Sequence, residues 1–155
     1  GNTLFANMYT AYEDLDDEMK LKIENLKVVH SAKLPYADDG FYATETEKRS
    51  MNIITSKEAK KEQIHSLVKV HPETQKKGLF INPVYTSHIQ GFNEEESFLL
   101  LSKLYEHMTQ EKYIYRHKWK ENMLLMWDNR TVMHMAEGGY DGYDRLLHRI
   151  TIANS

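Results

Sequence analysis

The last thirty residues constrain the fold of this chain more than any other segment. Residues 131–136 and 144–152 both have the composition of β-strands, and the segment between them contains three glycines in the six residues 137–142. Glycine suits turns that need positive φ. The pattern therefore predicts two antiparallel strands joined by a turn, preceded by a continuous apolar strand over 123–127.

The rest of the chain predicts further strands with helices inserted between them. Asn7 and Asp16 are placed to begin two short helices, and Asn93 with Glu96 forms a capping box before a longer helix, 94–108. Additional strands are predicted over 28–30, 66–70, 78–83 and 113–119. Residues 38–63 are polar and rich in Lys and Glu, which predicts a loop or lid. The expected fold is α+β and mainly β with inserted helices: a double-stranded β-helix (jelly roll) or an open barrel.

Composition excludes several functional classes. The 155 residues are enough for one domain, and a formal net charge of −3 without a basic patch argues against a nucleic-acid partner. The absence of cysteine excludes disulfides and thiol nucleophiles and fits a cytoplasmic protein. No signal peptide and no apolar run long enough for a membrane span are present, so we expect no membrane partner. Oligomeric state, including a homo-oligomer, is left open.

Three residues near the end of the chain carry candidate chemistry. Arg145 and Arg149 share one face of the predicted last strand, where buried cations need anions. A structural ion pair or a bound carboxylate would satisfy them. His134 lies on the neighbouring predicted strand and is either a core histidine or a metal ligand. Non-heme Fe(II) oxygenases use two His and one carboxylate on one side of the metal.

The order of several motifs resembles the taurine dioxygenase family (TauD/TfdA-like Fe(II)- and 2-oxoglutarate-dependent dioxygenases), and the resemblance covers nearly the whole chain. The matching segments are Gly1-Asn2-Thr3-Leu4, Ala11-Tyr12-Glu13-Asp14-Leu15, His71-Pro72 followed by Leu79-Phe80-Ile81-Asn82, and Trp127-Asp128-Asn129-Arg130 followed by His134, Arg145 and Arg149. Each motif alone is weak, and their combination in this order is specific. The resemblance implies an enzyme that binds Fe(II), 2-oxoglutarate and O₂.

The resemblance also implies roles for individual residues. His134 would be the distal histidine ligand of iron. Arg145 would hold the distal carboxylate of 2-oxoglutarate, assisted by the Thr3 hydroxyl. Arg149 would meet the anionic end of a small substrate, such as a sulfonate or a carboxylate, and Tyr85 would border the substrate pocket. Hydroxylation of that substrate is the expected reaction.

One departure from the family limits this expectation. The family's His-x-Asp motif, which supplies the other two iron ligands, lies upstream of the segment that matches Gly1 to Leu4, and no His-x-Asp occurs in the sequence. We therefore expect residues 1–155 to be the C-terminal part of a single jelly-roll domain that is incomplete in this chain. We expect this part alone to be inactive.

Two other functions compete with the oxygenase. The first is a truncated, non-catalytic jelly-roll module that binds an anion or serves in assembly. The second is a metal hydrolase using His65, His71 and Glu73, although no nucleophile or general base is in place. His71-Pro72 is predicted to be a turn with a capping histidine, and Asp128-Asn129 to be turn formers.

Overall fold

The computed structural model describes residues 1–44, 53–139, 142 and 144–152, and its strands are all paired antiparallel. In chain order the strands are β1 (Thr3–Asn7), β2 (Lys27–Ser31), β3 (Glu62–Ser66), β4 (Val68–Val70), β5 (Lys77–Leu79), β6 (Thr86–Ile89), β7 (Ile114–His117) and β8 (Val132–Ala136). They form sheets of order β7-β1-β8, β3-β2-β6 and β4-β5. The predicted mainly antiparallel β architecture with inserted helices is confirmed.

The described helices are α1 (Met8–Glu13), α2 (Asp17–Ile23), α3 (Lys33–Tyr36), α4 (Phe41–Thr44) and α5 (Glu94–Met108), with 3-10 turns at Lys57–Lys60 and Glu111–Tyr113. Three of them, α1, α2 and α5, begin at the residues that local sequence predicts, whereas α3 and α4 were not predicted. The side chains of Asn7, Asp16 and Asn93 accept backbone N–H groups of the first turns, and the capping box with Glu96 is complete. Among the described residues, even the longest helix lacks the length and apolar character needed to cross a bilayer.

The core lies between the helices and one side of the sheets. Because side chains alternate along a strand, Ala6 of β1 shares a face with Ile114 and Met133, its partners on β7 and β8, and this face packs against the core. The largest fully buried side chains are Val28, Ile23, Leu67, Leu79, Ile89, Leu104 and Met108. The opposite face of the β7-β1-β8 sheet therefore remains available for a site.

The central position of β1 was not predicted. In the sequence, the segment before Asn7 is recognised only as part of a motif, yet β1 pairs with β7 on one side and with β8 on the other. Thr3 is consequently buried, with a relative exposure of 7%. This burial follows from pairing with β7 and β8, whose residues are distant in sequence, so local sequence does not predict it.

Two predicted strands are wrong. Residues 123–127 and 144–152 have no strand assignment and no ladder partner among the described residues. Leu124 and Ile150 are each 87% exposed, whereas a sheet would bury every second side chain. Apolar or alternating sequence supplies the side chains of a strand, but the backbone also needs a neighbour to bond.

Smaller corrections concern the middle of the chain. The predicted strand 66–70 is divided at Leu67, whose backbone bonds Leu26 and Phe80 and passes the chain from one sheet to another. The predicted loop 38–63 contains α4 and a 3-10 turn, and residues 45–52 within it lie outside the described residues. The predicted strand 78–83 is limited to β5.

Candidate functional site

The open face of the β7-β1-β8 sheet brings together two of the predicted site residues. His134 on β8 lies directly opposite Phe5 on β1, and Thr3 shares the face of Phe5 two positions away. Diagonal neighbours of this kind are about 7–8 Å apart. The candidate metal ligand and the candidate anion-binding hydroxyl therefore face the same side of one sheet.

Aromatic rings hold the imidazole of His134. Its ring is stacked on Phe5 with centroids 6.1 Å apart and lies 5.1 Å from the ring of Trp127, which in turn contacts Phe5 edge-on. Within the described part of the chain, no protein group forms a hydrogen bond with either ring nitrogen of His134. The arrangement fixes the ring and leaves its nitrogens available.

The pKa of His134 lies below its ordinary value. Partial burial against the aromatic rings is the main cause, and the positive charge of Arg149 adds to it. Both effects favour the neutral imidazole, which is the form that binds metals. The residue thus fits the role of a metal ligand, although no group of three His, Cys, Asp or Glu side chains among the described residues could hold an ion alone.

Arg149 also acts on Tyr85, which lies after β5. The Asn82 side chain accepts the backbone N–H groups of Val84 and Tyr85 at 2.9 and 2.8 Å, and this turn fixes the start of β6. Burial and the neighbouring Tyr36 hydroxyl raise the pKa of Tyr85 to about 12, and the charge of Arg149 opposes this shift. The cation therefore lies within electrostatic reach of both His134 and Tyr85.

Tyr36 is a member of the site that the sequence did not reveal. Its ring is stacked on Tyr85 with centroids 6.3 Å apart and contacts the ring of Tyr42 at 5.3 Å. These tyrosines come from α3 and α4, within a segment that the sequence predicts in part as a loop. No spacing in the sequence connects Tyr36 with Tyr85, because the contact joins α3 to the turn before β6 and so depends on the tertiary structure.

Arg145 is half-buried in the segment 144–152. The prediction that it shares a strand face with Arg149 is not met, because this segment forms no strand among the described residues. Arg149 is exposed and is related to His134 and Tyr85 through its charge. Two of the predicted residues, His134 and Thr3, thus share one sheet face, and the charge of Arg149 acts on His134 and, separately, on Tyr85.

The Trp127-to-Arg130 motif builds the turn before β8. The Asp128 carbonyl accepts the backbone N–H groups of Thr131 and Val132, and its carboxylate accepts several hydrogen bonds from Arg130. The Arg130 guanidinium is the main reason that the pKa of Asp128 lies far below its usual range. Asp128 is therefore a structural turn former, as the sequence predicts.

His71 is also structural. Its Nδ1 accepts the backbone N–H groups of Glu73 and Thr74, both at 3.2 Å, and its Nε2 lies 3.1 Å from Asp128. Because Nδ1 accepts, Nε2 carries the proton and donates to the carboxylate. The predicted capping role is confirmed. With both nitrogens bonded in this way, the ring gives no support to a hydrolytic metal site.

Known proteins resemble this chain over most of its length. Residues 1–151 match the family model described as "Taurine catabolism dioxygenase TauD, TfdA family". An alkylsulfatase from Acinetobacter baylyi is 36% identical over 99% of this chain and 48% of its own length. An alpha-ketoglutarate-dependent 2,4-dichlorophenoxyacetate dioxygenase from a Burkholderia species is 36% identical over 86% of this chain and 42% of its own length.

The chain also resembles a solved structure in its fold. The crystal structure of AAD-2 in complex with Mn(II) and N-oxalylglycine is similar with a TM-score of 0.70 and 39% identity. The match covers 86% of this chain and 50% of the other. This chain spans about half the length of the curated relatives it matches.

Proposed function

The chain belongs to the TauD, TfdA family of taurine catabolism dioxygenases, and from this premise we propose that it is the C-terminal part of an Fe(II)- and 2-oxoglutarate-dependent dioxygenase. Residues 1–155 form part of a single jelly-roll domain, and an N-terminal part supplies a His-x-Asp motif. The antiparallel sheets and the similarity to half of a larger solved chain support this proposal. The absence of cysteine favours a cytoplasmic enzyme.

His134 is the iron ligand of this part. Partial burial and the charge of Arg149 lower the pKa of His134, which favours the neutral imidazole, and Phe5 and Trp127 fix its ring with both nitrogens available. A preorganised ring loses little conformational freedom when it binds a metal. When bound, Fe(II) and 2-oxoglutarate supply the chemistry that uses O₂, releases succinate and CO₂, and hydroxylates the substrate.

Thr3 and Arg145 hold the distal carboxylate of the cosubstrate. Thr3 and His134 are diagonal neighbours on one sheet face, about 7–8 Å apart, so an extended five-carbon diacid that binds a metal at His134 would extend toward the Thr3 hydroxyl. The half-buried guanidinium of Arg145 is the group best suited to bind that carboxylate with two hydrogen bonds. Thr3 adds a neutral donor from the central strand.

Arg149 and Tyr85 bind a small anionic substrate. The observation that carries the proposed function is the shared sheet face of His134 and Thr3. The charge of Arg149 acts on both His134 and Tyr85, which supports Arg149 as the anion-binding group. The relatives named for alkyl sulfates and for 2,4-dichlorophenoxyacetate would both act on anions with an apolar body. A sulfonate, sulfate ester or carboxylate with such a body is the proposed substrate class.

The test uses a protein that carries this chain together with the proposed N-terminal part. Fe(II) and 2-oxoglutarate are added without oxygen, and a metal-to-ligand visible band is expected. The Arg145→Ala variant should weaken the band, whereas Arg116→Ala, which removes an exposed arginine paired with Glu111 and Glu137, should leave it unchanged. No band, or no His-x-Asp in the sequence preceding Gly1, would contradict the proposal.

Residues 1–155 should show no turnover by themselves, because they contribute one iron ligand. Succinate production from 2-oxoglutarate by residues 1–155 alone would overturn this division of the site.

A further inference from the structure

The Thr3 hydroxyl receives a hydrogen bond whose direction is fixed. The indole N–H of Trp119, two residues beyond β7, donates to Thr3 Oγ1 at 2.9 Å. An indole nitrogen can only donate, so the threonine oxygen must accept. The hydroxyl proton of Thr3 is therefore directed away from Trp119 and is available to an acceptor.

The indole is held in this position by a neighbouring ring. His117 lies directly opposite Thr3 in the β1–β7 ladder, and its ring meets Trp119 edge-on with centroids 4.7 Å apart. Both Thr3 and His117 are buried, each with a relative exposure of 7%. A neutral hydrogen bond in such a place is shielded from competing water and restricts the rotation of the hydroxyl.

A second buried polar atom beside Thr3 indicates a bound ligand. The buried Nε2 of His117 has no hydrogen-bond partner among the described residues. Buried polar atoms in proteins are almost always bonded. An anion bound beside Thr3 would bring acceptor oxygens to the part of the sheet where both the threonine proton and this imidazole nitrogen lie.

On the basis of the proposed function, we propose that Trp119 is a positioning residue for the cosubstrate: by donating to Thr3, it sets the threonine hydroxyl as a donor to the distal carboxylate of 2-oxoglutarate. Trp119 acts through Thr3 and does not itself contact the carboxylate. Without the indole N–H, the hydroxyl regains rotational freedom and its donor role is weakened.

The test compares the Kd values of two 2-oxo acids for the Mn(II)-loaded protein that includes its N-terminal part. The comparison distinguishes a role of Trp119 in binding the distal carboxylate from a general structural role. 2-Oxoglutarate has the distal carboxylate, whereas 2-oxobutyrate has the same metal-binding end and no distal carboxylate. Calorimetry should show that Trp119→Phe raises the Kd of 2-oxoglutarate about threefold to tenfold, the equivalent of one neutral hydrogen bond. The Kd of 2-oxobutyrate should stay within about twofold.

A double-mutant cycle identifies the intermediary. Thr3→Val should weaken 2-oxoglutarate binding, and Trp119→Phe added to it should cause no further loss, because the indole acts only through the hydroxyl. Tyr113→Phe is the matched control: it removes a buried hydroxyl that donates to Asp14 at 3.0 Å, away from Thr3, and should leave both Kd values unchanged.

If Trp119→Phe does not fold, replacement of Trp119 by β-(3-benzothienyl)alanine keeps the shape of the ring and removes only the N–H. Equal weakening of both 2-oxo acids, or an unchanged Kd for 2-oxoglutarate, would overturn the role of Trp119 while leaving the oxygenase intact. Failure of the unaltered protein to bind 2-oxoglutarate would instead overturn the proposed function, and this inference with it.

Discussion

His71 Nε2 donates to the Asp128 carboxylate at 3.1 Å and so joins the turn between β4 and β5 to the turn before β8. The two residues belong to motifs that are far apart in the sequence. The same His71 ring accepts two backbone N–H groups of its own turn. One buried imidazole therefore supports the strand that carries His134.

His71→Ala should lower the free energy of unfolding by about 2–3 kcal/mol, because it leaves two backbone donors without an acceptor and removes one hydrogen bond to the Asp128 carboxylate. Urea unfolding measures this loss. Glu73→Gln is the matched control, since Glu73 is exposed and lies 3.7 Å from Arg130, and it should change the stability by less than about 0.5 kcal/mol. Equal losses of stability from the two substitutions would show that the His71 imidazole does not stabilise the contact between the two turns.

Acidification should destabilise the protein through His30. Burial, followed by the nearby His65, lowers the pKa of His30 to about 4 from its ordinary 6.5. Between these values the unfolded chain binds more protons, so stability present above pH 6.5 is lost as the pH falls toward 4. Partial exposure of the ring reduces the contribution to about 1–2 kcal/mol.

Urea midpoints measured at several pH values between 7 and 4 test this prediction. His30→Gln should reduce the dependence of the urea midpoint on pH, whereas His148→Gln, at an exposed position, should leave that dependence unchanged. An unchanged slope in the His30 variant would assign the acid sensitivity to other groups.

Arg149→Gln should raise the pKa of His134. The charge of Arg149 is the second cause of the lowered value, after burial, so its removal restores only part of the shift. Proton NMR titration of the imidazole in the absence of metal follows this change. Arg116→Gln removes a charge from β7 that pairs with Glu111 and Glu137, and it should leave the titration of His134 in place.

Gly40→Ala should destabilise the segment that carries Tyr36. A Cβ at this position would lie 2.8 Å from the carbonyl oxygens of both Lys33 and Leu34, so backbone must move to admit it. The expected cost is about 1–3 kcal/mol in urea unfolding. Gly138→Ala, where no heavy atom lies within 4 Å, is the control and should have little effect.

The sequence predicts those features that depend on neighbouring residues. The helix starts at Asn7, Asp16 and Asn93 are correct because a cap bonds backbone only two or three residues away. The turn at His71 is correct for the same reason. Strand predictions fail where strand formation depends on a hydrogen-bonded neighbour that is distant in sequence. Strand β1 was not predicted although it has two neighbours, and the predicted strand over 144–152 has no neighbour among the described residues.

In the candidate site, too, the sequence identifies residues that belong to motifs and misses residues that depend on tertiary contacts. His134, Thr3, Arg149 and Tyr85 were named through motifs in a particular order along the chain. Trp119 and Tyr36 were not, because each acts through a contact across the sheets, with Thr3 and with Tyr85 respectively. A pattern along one chain carries no direct information about such pairs.

The position of β1 between β7 and β8 has a consequence for folding. The strand that carries Thr3 opens the sequence, and its two partners lie in the last third of the chain. The ladder that aligns Phe5 with His134 therefore closes a loop of most of the chain, a contact of high sequence separation that forms slowly. We expect the helices and the β2–β3 and β4–β5 pairs to form first, so that the site residues come into register only when the rest of the chain has already folded.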